Sequence, residues 1–105
     1  MTIISATIYG KTNCPYCDQS KLLLNNNKIK YSYILLDNDD ERAAFYEKCS
    51  AELGGPVRSV PQIWVTTSTD LENTDKYIEK YVGGFHELHK FLRNYNQTIS
   101  LSADF

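Results

Sequence analysis

Apolar and small polar residues alternate from Ile3 to Tyr9 and stop at Gly10, the two-residue period of a half-buried strand that ends in a loop, Lys11-Thr12-Asn13. Pro15 suits the first position of a helix, where its missing N–H has no intrahelical partner to lose, so Cys14 becomes the N-cap. That helix is predicted to run to about Asn26, where Asn25-Asn26-Asn27 stops it. Tyr31-Ser32-Tyr33-Ile34-Leu35-Leu36 then reads as a second strand, parallel to the first through a right-handed crossover. Asp37-Asn38-Asp39-Asp40-Glu41 brings capping side chains and negative charge to the start of a second helix, which reaches about Leu53 before Gly54-Gly55-Pro56. Phe45, Cys49 and Leu53 recur every fourth residue on it, and this stripe is expected in the core. Pro61 to Thr66 and Lys76 to Val82 read as an antiparallel hairpin joined by the polar run from Thr67 to Asp75. After Gly83-Gly84, the helical spacing of Phe85, Leu88, Leu92 and Tyr95 predicts a last amphipathic helix to about Asn96.

The order β-α-β-α-β-β-α predicts an α/β fold, a four-stranded mixed sheet flanked by three helices, in one domain over residues 1–96 with a loosely held tail over 97–105. With 105 residues, 42% of them hydrophobic, the chain can bury one core but not two. A formal charge of −2 gives no general attraction to nucleic acid or to anionic lipid, and neither is expected as a partner. The first residues hold neither a basic stretch nor a long apolar run, which places the protein in the cytosol by expectation. There thiols stay reduced, and an odd count of three cysteines argues for redox or metal chemistry rather than a disulfide-stapled fold.

Cys14 and Cys17 lie one helical turn apart at a helix start. Thiols attack disulfides as thiolates, and an ordinary cysteine is ionised only to a few per cent at neutral pH. Unpaired amides and the positive end of the helix dipole stabilise an anion at Cys14, and Lys11 adds charge nearby. Cys14 therefore reads as the nucleophile and Cys17 as the thiol that closes a small ring and discharges a mixed disulfide. The competing possibility is half of a zinc site, for which only Cys49, His86 and His89 remain as further ligands. Cys49 falls on the core stripe, and no second Cys-x-x-Cys or His-x-x-x-His pair exists, so redox chemistry is favoured and no metal site is assigned.

From about Ile3 to Tyr95 the chain resembles the glutaredoxin family within the thioredoxin-fold superfamily. Ile8-Tyr9-Gly10-Lys11 ahead of Cys14-Pro15-Tyr16-Cys17 is similar to the first strand and dithiol motif of that family, whereas thioredoxins carry Trp before Cys-Gly-Pro-Cys. Ser59-Val60-Pro61-Gln62 resembles its Thr-Val-Pro segment, whose proline is cis, and Val82-Gly83-Gly84-Phe85 resembles the Gly-Gly that opens its last helix. The resemblance implies a thioredoxin-like fold and glutathione as co-substrate, with no permanently bound cofactor. It implies that the Val60 backbone beside Pro61 pairs with an extended ligand, and that Tyr16 flanks the sulfur. Gly83, Gly84 and the helix start at Phe85 and His86 would take the γ-glutamyl end, and Lys11 with Arg58 the glycyl carboxylate. An acidic side chain for the ligand's ammonium is implied two residues after the second glycine. His86 stands there, with Glu87 as the neighbouring carboxylate. The loop from Thr67 to Asp75 is a second departure, longer than a tight turn and read as a solvated insertion.

The expected activity is glutathione-linked reduction of protein disulfides or glutathione mixed disulfides by a monomer. The alternative is a thioredoxin-like electron donor, for instance to ribonucleotide reductase, recycled by a flavoprotein reductase. Iron–sulfur cluster carriage is disfavoured by Pro15, since cluster-carrying relatives usually have Cys-Gly-Phe-Ser or lack this proline.

Overall fold

The structure, a computed structural model, describes the backbone over residues 2–68 and 77–103, and side chains over 3–68 and 77–95. Its elements follow the expected order: β1 (Thr2–Gly10), α1 (Pro15–Asn26), β2 (Tyr31–Leu35), α2 (Asp39–Leu53), β3 (Gln62–Ser68), β4 (Tyr77–Gly83) and α3 (Phe85–Ala103). The sheet order is β2-β1-β3-β4, with β1 parallel to β2 and antiparallel to β3, and β3 antiparallel to β4. Thr67 and Ser68 belong to β3, and the remainder of the long hairpin connection lies outside the described residues.

Local chemistry sets the ends of the helices. The Asn27 amide and side chain both donate to the Leu23 carbonyl, at 3.2 and 2.8 Å, closing the end of α1. Asn38 Oδ1 accepts from the amides of Asp40 and Glu41 at 2.9 and 3.0 Å, capping α2. Gly54, at φ 73°, ends α2 in the left-handed conformation and donates to the Ser50 carbonyl. The last helix departs from expectation, because it continues past Asn96 to Ala103 instead of giving way to a loose tail at Gln97. No Gly or Pro interrupts residues 96–103, and Ile99 extends the spacing of Leu88, Leu92 and Tyr95.

The two sheet faces pack differently. Ala6 and Ile8 of β1, Ile63 and Val65 of β3, Leu24 of α1, and Leu88 and Leu92 of α3 form an aliphatic core on one face. A register shift between Ile3 and Ser5 sets Ile3 against that same core despite its odd number. On the opposite face Tyr9 stacks on Phe45 of α2 with centroids 4.5 Å apart, and Trp64 meets both rings edge-on. Cys49 is buried beneath this aromatic layer as expected. Leu53 is not: it is 39% exposed, since it sits in the last turn where Gly54 leads the chain away.

Candidate active site

The C-terminal end of β1 delivers the chain into a short loop that is fastened from two sides. Asp37, just beyond β2, accepts from the Thr12 amide at 2.7 Å and from its hydroxyl, and these hydrogen bonds hold its carboxyl below the usual range. Tyr33 of β2 donates its hydroxyl to the Lys11 carbonyl at 3.0 Å. Asn13, at φ 57°, takes the left-handed turn that an asparagine tolerates, and the chain then enters α1.

Cys14 is extended, at φ −119° and ψ 100°, and acts as the N-cap with its sulfur in the capping role. The Cys17 amide donates to Cys14 Sγ at 3.2 Å, and the Asp18 amide to the Cys14 carbonyl at 3.0 Å. An amide aimed at sulfur, together with the helix dipole, favours a thiolate there over a thiol. The two cysteines form a disulfide with Cα atoms 5.2 Å apart. Cys17 is wholly buried and Cys14 is 6% exposed, so Cys14 is the sulfur that an incoming group meets.

Cys14 Sγ lies 4.0 Å from the Val60 carbonyl, and the Val60–Pro61 bond is cis. Beside them opens a cleft of about 380 Å³. Of the residues singled out from the sequence, Tyr16, Val60, Pro61, Gly83, Gly84, Phe85 and His86 line it. Tyr16 stacks on Phe85 with centroids 5.8 Å apart, and His86 meets both rings edge-on. Lys11 and Arg58 are exposed and do not line the cleft. Lys11 enters the site through its carbonyl, as the acceptor for Tyr33.

Ser59, Gln62 and Tyr81 line the cleft without having been given a role from the sequence, and Glu87, named only as the carboxylate next to His86, lines it as well. Gln62 donates to the Ser59 carbonyl at 2.9 Å and accepts from the Tyr81 hydroxyl, which ties β4 to the segment carrying Pro61. Glu87 lies beside His86 at this end of the cleft. Its carboxylate reaches back to accept from the Gly84 amide at 3.2 Å, so the acidic group at this end of the cleft comes from position 87. The Gly84-x-x-Glu87 spacing, that of a capping box, was the available signal. Gly83, at φ 121°, makes the turn into α3, and an added Cβ would press at 3.0 Å on the Glu87 side chain.

Among the described residues no group of three or more His, Cys, Asp or Glu side chains is placed to hold a metal ion. The buried, helix-capping dithiol carries the chemistry. The family model for glutaredoxin matches residues 6–68, well over half of the chain. The chain belongs to the glutaredoxin family. A glutaredoxin of Pseudomonas aeruginosa is 31% identical over 97 residues, covering 91% of this chain and 94% of its own. Glutaredoxin 1 of Francisella tularensis, solved with cacodylate, superposes with a TM-score of 0.69 at 25% identity, covering 89% of this chain and 96% of its own. A buckwheat glutaredoxin–glutathione complex shares the fold, with a TM-score of 0.63 at 21% identity over 93% of this chain and 76% of its own. This glutaredoxin is therefore a thiol–disulfide oxidoreductase whose redox pair is Cys14 and Cys17.

Proposed function

We propose that the enzyme reduces glutathione mixed disulfides and protein disulfides, with Cys14 as nucleophile, Cys17 as resolving thiol and glutathione as the reductant that restores the dithiol. One arrangement carries this reading: the Val60 backbone and the Gly84–Glu87 turn flank the same cleft beside Cys14 Sγ. Glutathione is an extended peptide with a central thiol and a zwitterionic γ-glutamyl end. Its cysteine would lie along Val60, where main-chain hydrogen bonding reads backbone rather than side chains. Its α-carboxylate would meet the first amides of α3, and its ammonium the Glu87 carboxylate. Tyr16 and Phe85 would cover the sulfur from solvent.

The reaction is a pair of exchanges. Cys14 thiolate attacks the glutathione sulfur of the mixed disulfide and expels the protein thiolate, which takes up a proton. A second glutathione thiolate then attacks the bound glutathione sulfur, forming glutathione disulfide and freeing Cys14, or Cys17 attacks the Cys14 sulfur, closes the Cys14–Cys17 disulfide and expels glutathione. In a glutathione-coupled assay on a glutathionylated peptide, Cys14→Ser is expected to lose all activity above background, whereas Cys17→Ser keeps turnover on that substrate and loses it on a dithiol-requiring protein disulfide. Full activity in Cys14→Ser would defeat the assignment.

Lys11 and Arg58 stand apart from the cleft, so no lysine or arginine among its lining residues meets a glycyl carboxylate. This observation favours, as the second reading, recycling by a flavoprotein reductase of the thioredoxin type with a protein such as ribonucleotide reductase as acceptor. Comparing the rates at which glutathione and such a reductase restore the dithiol decides between the two.

A further inference from the structure

Cys17 has to act as a thiolate, yet it is wholly buried in the disulfide-bonded enzyme. A buried thiolate without a donor is strongly disfavoured. The Ser20 hydroxyl, also buried and one turn on in α1, is committed to the Tyr16 carbonyl at 2.7 Å. The sheet supplies another hydroxyl. A Cβ added to Gly10 would collide with Tyr33 Oη and come within 2.8 Å of Cys17 Sγ, so the phenol oxygen and the sulfur both crowd the same point beside the Gly10 backbone.

We infer that Tyr33 is a positioning residue for the exchange reaction, a donor whose hydroxyl serves the Lys11 carbonyl in the oxidised enzyme and the Cys17 sulfur once that sulfur is an anion. The inference rests on Cys17 being the resolving thiol. A disulfide sulfur carries no charge to draw the donor, and the structure shows the hydroxyl on Lys11 O at 3.0 Å. A thiolate is the stronger acceptor. Lys21 Nζ lies 3.6 Å from the centroid of the Tyr33 ring. Asp18 of α1 and Asp37 after β2 act on the phenol as negative charges, and Lys21 lies over its ring as a positive one. Burial, then Asp18 and Asp37, raise the Tyr33 pKa above its ordinary value, so the phenol keeps its proton wherever the enzyme works.

The resolving step balances without moving that proton. Cys17 first loses its proton to solvent. Its thiolate attacks Cys14 Sγ, the Cys14–Cys17 bond forms, and the bond from Cys14 to the substrate sulfur breaks. The substrate leaves with the electron pair and is protonated from solvent, and Tyr33 returns to the Lys11 carbonyl.

Tyr33→Phe keeps the ring under Lys21 and removes only the hydroxyl. In a Cys14→Ser background, iodoacetamide labelling of Cys17 followed by peptide mass spectrometry reads that thiol separately from Cys49. Adding Tyr33→Phe is expected to slow Cys17 labelling at pH 7 about tenfold and to move its pH midpoint up by about one unit. An identical Cys17 titration in the two proteins overturns the inference. A loop-tethering role would instead act through Cys14. Tyr33→Phe should therefore slow reduction of a protein disulfide by the dithiol enzyme more than it slows deglutathionylation by Cys17→Ser. Equal losses in both assign Tyr33 to the loop alone and also overturn it. Neither outcome depends on whether glutathione or a reductase recycles the enzyme, nor on the Cys14→Ser activity test above.

Discussion

Cys14 and Cys49 are almost equally hidden, at 6% and 4% exposure, yet the structure equips them for opposite chemistry. Cys14 caps α1, receives an amide hydrogen bond and lies 4.0 Å from the carbonyl of Val60, which lines a cleft. Cys49 lies towards the far end of α2 among Tyr9, Phe45 and Trp64, and burial, reinforced by the Glu52 carboxylate, pushes its thiol above the ordinary value. Burial alone thus does not set thiol reactivity. The direction of the nearest backbone dipoles does: at a helix start they point at sulfur, whereas within a helix they are spent on the turns of the helix.

Competitive alkylation of the reduced enzyme at pH 7 should break this contrast if it is false. Cys14 is expected to label on the order of a thousandfold faster than Cys49, and comparable rates would show that the cap confers nothing. Gly10→Ala tests the packing beneath the dithiol, since its methyl group intrudes on Tyr33 Oη and Cys17 Sγ. A fall in disulfide-reduction rate of about tenfold is expected, with Cys49 labelling unchanged. Cys49→Ala should leave turnover within about twofold and lower stability in denaturant by about 1 kcal/mol, as befits a packing residue. The smallest effect concerns the loop at Thr12. The Asp37 carboxyl is held below its ordinary value, so its ionised form stabilises the fold above the unfolded pKa, and that contribution is lost as pH falls through the folded one. Asp37→Asn should flatten the loss of stability below about pH 4, as followed by acid unfolding, without altering Cys49.

Much of this was legible in the residues themselves. Element order, the parallel β1–β2 pair and the capping of α1 by Cys14 followed from periodicity and from Pro15, because backbone-level signals act locally. The Gly83-Gly84 turn and the cis Val60–Pro61 bond agree with the resemblance. What escaped depends on side-chain reach across the fold. Lys11 and Arg58 are near the site in sequence but are not among the cleft's lining residues, and Tyr81 reaches it from β4 with its hydroxyl hydrogen-bonded to Gln62. Glu87 was named as the neighbouring carboxylate, but a count along the chain does not show that its side chain folds back over the helix start. Leu53 fits the stripe of α2 but lies beyond the part of the helix that the sheet covers. Tyr33 reads as an ordinary strand residue until its hydroxyl is seen against the loop.

The aromatic face gives the enzyme a built-in optical reporter. Its one tryptophan, Trp64, sits against Tyr9, Phe45 and Tyr81 on the α2 side of the sheet, whereas α1, which carries the dithiol, packs on the other side. Indole emission therefore follows the seating of α2 rather than the state of the sulfurs. A change in that emission while the dithiol still turns over would mark a partly opened enzyme, with one layer lifted and the working end intact.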